Sequence, residues 1–409
     1  MITKNTLYTA DNLFVLNGLN SESVDLIYLD PPFNSKRIYS APIGSKAAGA
    51  SFKDMWSWRD VNEGYLERLI DSYPYLVQYI QSIGVIHSKA MMAYVTFMSQ
   101  RIIEMHRVLK PTGSFYLHCD PTASHYLKIV LDRVFGKGNF RNEIVWCYKT
   151  GGVSKRWFGR KHDDIYFYVK GHNYKFNQQK EKSYLTSGMA SFTEGSPTAK
   201  KYGLNRDNGG AYRMTTMRDV WPIFPIYRNS KERTGYPTQK PLKLLERIIK
   251  ASSNVGDIVL DPFCGCATTC VASQRLGRRW IGIDIEKNAA NQVMERLSSD
   301  GGLFKDFIHL TKPPVRTDVE TQEPDKKIKQ NLYIKQESKC AGCFTEMELR
   351  HFHIDHIIPR AKGGGNYVEN YQLLCGHCNS VKGDRPMEFL RFKISEREKL
   401  LRRQVSFGV

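Results

Sequence analysis

The sequence predicts an α/β protein: a doubly wound, mostly parallel sheet of Rossmann-like type with an inserted region, followed by a small separate module. Three observations carry this expectation. Short apolar runs ending in aspartate alternate with segments of helical period, a basic and aromatic stretch interrupts that alternation, and a polar tract sets off a cysteine-rich C-terminal part.

Val24 to Leu29 is an apolar run stopped by Asp30-Pro31-Pro32, the pattern of a buried strand with a polar carboxyl edge. Met98, Ile102, Met105 and Leu109 share one helical face, Pro111-Thr112-Gly113 breaks that helix, and Ser114 to His118 reads as the next strand. Further on, Pro241 opens a helix through Lys250, Asp257 to Asp261 is a strand, Thr268 to Leu276 a helix and Arg279 to Asp284 another strand. The stretch from Thr150 to Tyr236, rich in Lys, Arg, Tyr, Phe, Gly and Asn, has little helical period and reads as an inserted recognition region of about residues 150–236. Residues 311–330 are charged, proline-bearing and almost without apolar side chains, which predicts a solvated linker between a body of residues 1–310 and a module of residues 331–409.

Composition points to the partner. Lysine and arginine number 60 against 41 acidic residues in 409, a net charge of +19 that exceeds an ordinary neutral enzyme surface and implies a polyanion. The aromatic content, 12%, places that charge on folded domains rather than on a disordered tail. The N-terminus lacks a basic segment followed by a long apolar core, and no stretch has the apolar run of a bilayer span. A soluble, cytoplasmic protein without membrane association is expected.

The nine cysteines suit thiols or metal ligands better than disulfides. Cys340-Ala-Gly-Cys343 and Cys375-Gly-His-Cys378 supply four thiolates, the donor set of a closed, structural Zn²⁺ site. Cys119, Cys147, Cys264, Cys266 and Cys270 read as small buried hydrophobes.

Two strand ends carry chemistry. Asp30-Pro31-Pro32-Phe33 sets a carboxylate and a ring at a carboxyl edge, where open α/β sheets build ligand crevices; the plain alternative is an aspartate capping a proline turn. Asp261-Pro262-Phe263-Cys264-Gly265-Cys266-Ala267-Thr268-Thr269 is a strand, a small-residue turn and a helix start, through which backbone can approach a nucleotide-like cofactor. Asp284 ends the next strand, where a carboxylate can hold ribose hydroxyls.

In order, these elements and Tyr236-Pro237-Thr238-Gln239-Lys240-Pro241 resemble the amino-methylating DNA methyltransferases, which transfer methyl from S-adenosylmethionine to adenine N6 or cytosine N4. The resemblance covers about residues 1–300. The catalytic motif precedes the cofactor motif, with the recognition region between them, as in the family's β class. The resemblance implies catalytic roles for Asp30, Pro31, Pro32 and Phe33, and cofactor contacts from Asp261, Phe263, Gly265, Thr268, Asp284, Thr238 and Lys240. It implies extrusion of the target base from double-stranded DNA, favours adenine through the Asp-Pro-Pro-Phe form, and suggests a homodimer. Ala267 stands where the family usually has a second glycine, so either the turn keeps φ negative there or the cofactor sits slightly differently. Lys149, Lys155, Arg156, Trp157, Phe158, Arg160 and Lys161 mix charge with aromatics, as a phosphate-gripping surface does; a solvated basic loop is the alternative.

Ile354-Asp355-His356-Ile357-Ile358-Pro359, Gly363 to Gly365, Asn370 and Cys378-Asn379-Ser380-Val381-Lys382 resemble the HNH nucleases, a ββα-metal fold, over about residues 335–390. The resemblance implies His356 as general base, Asp355 and Asn379 as ligands of a catalytic Mg²⁺ or Mn²⁺, Asn370 as the brace of the histidine loop, and Lys382 near the phosphate. Many relatives have histidine at the position of Asn379, and an oxygen ligand there suits Mg²⁺. Asp355 and His356 are adjacent on a strand, so one site uses both only where the chain bends. The expected whole is a restriction-modification fusion; the alternative is a methyltransferase whose zinc-bound module only binds DNA.

Overall fold

A computed structural model describes residues 4–34, 37–40, 51–54, 66, 69–70, 72–148, 155–185, 193–227, 229–286, 291, 293–294, 296, 307–387, 389–391 and 393–394. Lys149 of the basic stretch lies outside them.

The chain runs β1 (Asn5–Thr9), α1 (Asn12–Gly18), β2 (Val24–Leu29), β3 (Arg37–Ser40), β4 (Ser51–Asp54), α2 (Pro74–Ile86), α3 (Lys89–Val108), β5 (Leu109–Cys119) and α4 (Ser124–Phe135). It continues through β6 (Phe140–Cys147), β7 (His162–Val169), β8 (Lys180–Tyr184), α5 (Pro197–Tyr202), β9 (Leu204–Asp207), β10 (Gly210–Thr216), β11 (Val220–Pro222), α6 (Leu242–Ser252), β12 (Ile258–Asp261), α7 (Thr268–Arg275), β13 (Arg279–Asp284) and β14 (Phe307–Leu310).

Nine of these strands form one sheet in the order β11-β6-β7-β5-β2-β12-β13-β1-β14. All neighbours are parallel except β7, which is antiparallel to both β5 and β6. Every residue of β2 is buried, as a parallel central strand covered on both faces requires. One face packs Ile27, Leu29 and Phe115 against α2, α3 and α4 through Ile80, Met98, Ile102 and Leu127. The other packs Leu26, Tyr28 and Val259 against α6 through Leu245, Ile248 and Ile249. The doubly wound sheet is therefore as expected. Adjacency of β2 and β12, 233 residues apart at the Ile258 to Asp25 bond, sets the two motif-bearing strand ends side by side.

Three details differ from the sequence expectation. Leu109 does not continue the helix: it caps α3 in extended conformation and opens β5, so Pro111 to Gly113 lie inside a strand. The pairing with β2 slips there, between Val24 and Leu26, because proline lacks a ladder N–H. The stretch read as inserted also contributes β7 and β11 to the main sheet, and only β8-β10-β9 forms a sheet of its own. Ile165 to Val169 are all buried, an apolar run that suits a central strand.

Residues 311–330 are not a free linker. Thr317 and Asp318 bond Asn20 and Ser21, the Pro314 carbonyl lies against Gly18, and residues from Lys326 belong to α8 (Lys326–Lys335), whose Ile328 and Leu332 enter the core of the C-terminal module. That module adds β15 (Phe352–His356), antiparallel to β16 (Tyr371–Cys375), and α9 (Gly376–Lys382), a ββα unit closed by Phe352, Leu373, Leu374, Met387 and Leu390.

Candidate functional site

Strands β2, β12 and β13 are neighbours in parallel, and their carboxyl ends carry Asp30, Asp261 and Asp284. These three aspartates line one cavity of about 390 Å³ together with Pro31, Pro32, Phe33, Thr238, Lys240, Phe263, Gly265 and Thr268. The catalytic and cofactor residues expected from the methyltransferase resemblance are thus brought together.

Lys240 Nζ lies 2.5 Å from Asp30 Oδ2, whereas Asp30 Oδ1 is buried and makes no hydrogen bond among the described residues. Lys240, expected at the cofactor, lines this cavity and grips the carboxylate that leads the catalytic motif. Asn34 and Thr238, on the two loops flanking this pair, both adopt positive φ, a backbone cost that clusters at functional sites. Phe33 stacks on His118 with ring centroids 6.1 Å apart. His118 is fully buried, its Nδ1 2.8 Å from the Tyr28 hydroxyl and its Nε2 3.1 Å from Asp163 Oδ2, and the Tyr148 hydroxyl donates to Asp163 Oδ1 at 3.1 Å. Beyond Phe33 opens a wider chamber of about 660 Å³, lined by Trp146, Tyr148, Arg160, His162 and Asp163 among others.

Burial pushes the Asp261 carboxyl up to about 7, opposed by hydrogen bonds from the Thr269 hydroxyl and the Phe263 N–H, with Asp30 and Asp284 adding repulsion. Burial likewise pushes Asp284 up to about 6, although the Gly265 and Glu286 N–H groups, each at 2.9 Å, favour its ionised form. Gly265 has φ +47°, and a Cβ there would stand 2.9 Å from the Tyr236 ring. Ala267 adopts φ +58° and ψ +35°, so the turn is left-handed despite the alanine, and negative φ is ruled out. The bare backbone at Gly265, the Tyr236 ring laid over it and the Asp30 oxygen without a partner among the described residues fit S-adenosylmethionine in polarity.

Several contributors escaped the sequence reading. Arg101, buried on α3, bonds Asp11 Oδ1 and Asn12 Oδ1, and Asn12 holds the Pro262 carbonyl at 2.7 Å. A lone arginine inside a helix carries no sequence signal. His118 carries none either, whereas Tyr236 opens the Tyr236 to Pro241 motif.

In the C-terminal module the Sγ atoms of Cys340, Cys343, Cys375 and Cys378 lie within 4.8 Å of one another, and those of Cys343 and Cys375 are 3.9 Å apart. Four thiolates about 2.3 Å from one Zn²⁺ stand at about that mutual spacing, so the donors fit the ion. The Cys340 thiol is held below its usual range, first by the Cys378 thiol and then, against burial, by the N–H groups of Cys375, Cys343 and Gly342.

Asn370 accepts from the Ile358 N–H at 2.8 Å and donates to the Ile358 and Gly365 carbonyls at 3.0 Å, clasping both ends of the loop after His356. His356 Nε2 lies 2.8 Å from Asn366 Oδ1, and Asn366 donates to Glu323 at 2.6 Å. Asp355 turns elsewhere. It is paired across the strands with Gln372, which donates to Oδ2 at 2.8 Å, and the buried Lys382 ammonium lies 3.0 to 3.1 Å from its oxygens. His356 is paired with Tyr371, and its ring stands edge-on to the Tyr371 ring with centroids 5.1 Å apart. The Asn379 side chain makes no hydrogen bond to the described residues and lies one turn before Lys382 on α9. Asp355 and Asn379 offer hard oxygens of the type a Mg²⁺ or Mn²⁺ takes, with Lys382 sharing the carboxylate.

Residues 24–295 match the model of the DNA methylase family, and residues 340–385 match that of the HNH endonucleases. The chain is 29% identical over 294 residues to the type II methyltransferase M.HpaI of Haemophilus parainfluenzae, covering 72% of this chain and 74% of that one. It is 28% identical over 298 residues to the DNA adenine methyltransferase YhdJ of Escherichia coli, covering 71% and 82%. The solved PvuII DNA methyltransferase, cytosine-N4-specific, aligns at 17% identity with a TM-score of 0.46 over 76% of this chain and 95% of its own.

Proposed function

Because the chain belongs to the DNA methylase family, we propose that it methylates an exocyclic amine in double-stranded DNA, adenine N6 by preference, and that its HNH module cuts DNA. The observation that carries the first part is the buried Asp30 Oδ1, the one oxygen of its carboxylate without a partner among the described residues, in the cavity that ends at Asp284. Bound S-adenosylmethionine supplies a methyl group on a sulfonium. Asp284 and the Gly265 turn would hold its ribose end, with Asp261, Phe263 and Thr268 lining the cleft toward Asp30.

An exocyclic amine shares its lone pair with the ring and is a poor nucleophile. Asp30 Oδ1, accepting one N–H with the aid of the Pro31 carbonyl, would localise that pair for attack. Lys240 holds the other oxygen, so the carboxylate need not turn to do so. Phe33, backed by His118, offers the stacking face for an extruded base. Adenine is favoured by the Asp-Pro-Pro-Phe form and by the likeness to YhdJ.

We further propose bodies of residues 1–310 and 331–409, the second extended by α8 back to Lys326, a structural zinc on the four cysteines, action in the cytoplasm and a homodimer matching a two-fold DNA target. For cleavage, His356, on a loop braced by Asn370, takes a proton from the attacking water, and a divalent ion on Asp355 and Asn379 would polarise the phosphate. The experiment incubates unmethylated DNA carrying the mapped target with cofactor alone, or with Mg²⁺ or Mn²⁺. Methyl transfer lost in Asp30→Ala and strand breaks lost in His356→Ala support the two activities separately. Breaks that persist in His356→Ala, or none in the wild type, leave the module a DNA-binding accessory.

A further inference from the structure

Strands β6 and β7 form an antiparallel hairpin of the main sheet. Beyond its Cys147–His162 pair, the Tyr148 N–H donates to the Lys161 carbonyl at 3.0 Å, which extends the pairing by one step. The returning side of that tip carries Lys155, Arg156, Trp157, Phe158, Arg160 and Lys161. Phe158 is 98% exposed, more than any other large apolar side chain among the described residues, and the neighbouring Trp157 is 65% exposed. The foot of the same hairpin, at Tyr148, Arg160, His162 and Asp163, forms a wall of the chamber that opens beyond Phe33.

A ring held in water beyond a paired hairpin contributes nothing to the core, and exposed aromatics mark binding surfaces. Its cationic neighbours select the binding partner as a polyanion, and the chamber at its foot is where an extruded base would go. A base that leaves the stack leaves a gap between its neighbours, and the cost of unstacking is partly returned by an inserted apolar side chain. We propose that Phe158 is a wedge that enters the duplex and fills the gap left by the target base, while Arg156 and Arg160 hold the flanking phosphates. The proposal rests on the methyl-transfer reading above and adds to it the residue that stabilises the opened duplex.

The test compares wild type, Phe158→Ala and Phe158→Trp on two duplexes carrying the mapped recognition site. In one the target base is paired; in the other it faces an abasic position, which removes the pairing and much of the cost of extrusion. Phe158→Ala is expected to lower kcat/KM on the paired duplex by on the order of ten- to a hundredfold, and on the abasic duplex by less than about threefold. Phe158→Trp should keep the paired rate, and 2-aminopurine at the target position should brighten less with Phe158→Ala than with wild type. Equal loss on both duplexes would make Phe158 a general docking contact, and an unchanged paired rate would remove it from the interface; either overturns the wedge. No transfer by wild type on either duplex would instead sink the methyl-transfer reading, and the wedge with it.

Discussion

Lys240 and Asp30, 210 residues apart in sequence, form an ion pair at 2.5 Å that ties the segment before α6 to the carboxyl end of β2. The pair fixes which carboxylate oxygen faces the cavity. Lys240→Met should therefore slow methyl transfer by about a hundredfold while changing cofactor affinity little, and should lower stability by leaving the half-buried Asp30 carboxylate without its cation. Single-turnover rates and titration calorimetry separate the two effects. A lost cofactor affinity with an unchanged rate would return Lys240 to the cofactor side.

The cofactor turn holds two left-handed residues of different consequence. Gly265→Ala would drive a methyl to 2.9 Å from the Tyr236 ring and disturb the N–H that bonds Asp284, so cofactor affinity should fall about tenfold or more. Ala267 already bears a side chain at φ +58° in a fully buried position. Ala267→Gly should stay within about 1 kcal/mol of wild type, because relief of the left-handed strain is offset by the lost methyl contact and the greater chain entropy. Thermal unfolding and calorimetry on both variants check this contrast.

What could be read in the sequence was local and chemical. The alternation of apolar runs and helical periods specified the sheet, and the three strand-end aspartates were visible because aspartate beside proline after an apolar run has a definite place in an α/β sheet. Pairings across long separations were not legible: nothing near Lys240 announces Asp30, and nothing near His118 announces Tyr28 and Asp163. The tract 311–330 reads as solvated because its side chains are polar, yet its backbone and Asp318 find partners on Asn20 and Ser21. Composition reports exposure, not docking. The strand β7 was hidden because a basic, aromatic stretch masked the buried run Ile165 to Val169.

Stability should carry the mark of Asp261. Its folded pKa of about 7 lies above its ordinary 3.8, so below 3.8 the group is protonated in both states and costs nothing. Above 7 the folded state bears the full penalty of a buried charge. Between those values stability falls as pH rises, and relative to Asp261→Asn the wild type should lose up to about 4 kcal/mol from about pH 4 to about pH 8. Melting curves of the two proteins across that range test the sign. A difference that stays constant with pH would contradict it.

Zinc should hold the C-terminal module together, since a core of so few side chains has little apolar area to bury. Cys343→Ser should lose the metal and unfold the ββα unit while leaving methyl transfer intact. Elemental analysis finding about one zinc per wild-type chain, and a low-temperature transition in the variant alone, is the expected result.

The most direct test of the account is nucleoside mass spectrometry of double-stranded DNA incubated with the purified protein and isotope-labelled S-adenosylmethionine. The account predicts labelled N6-methyladenine with wild type and none with Asp30→Ala, although that variant still binds the cofactor. Labelled N4-methylcytosine would keep the chemistry and change the base; no label on any exocyclic amine, or full labelling by Asp30→Ala, would contradict the account.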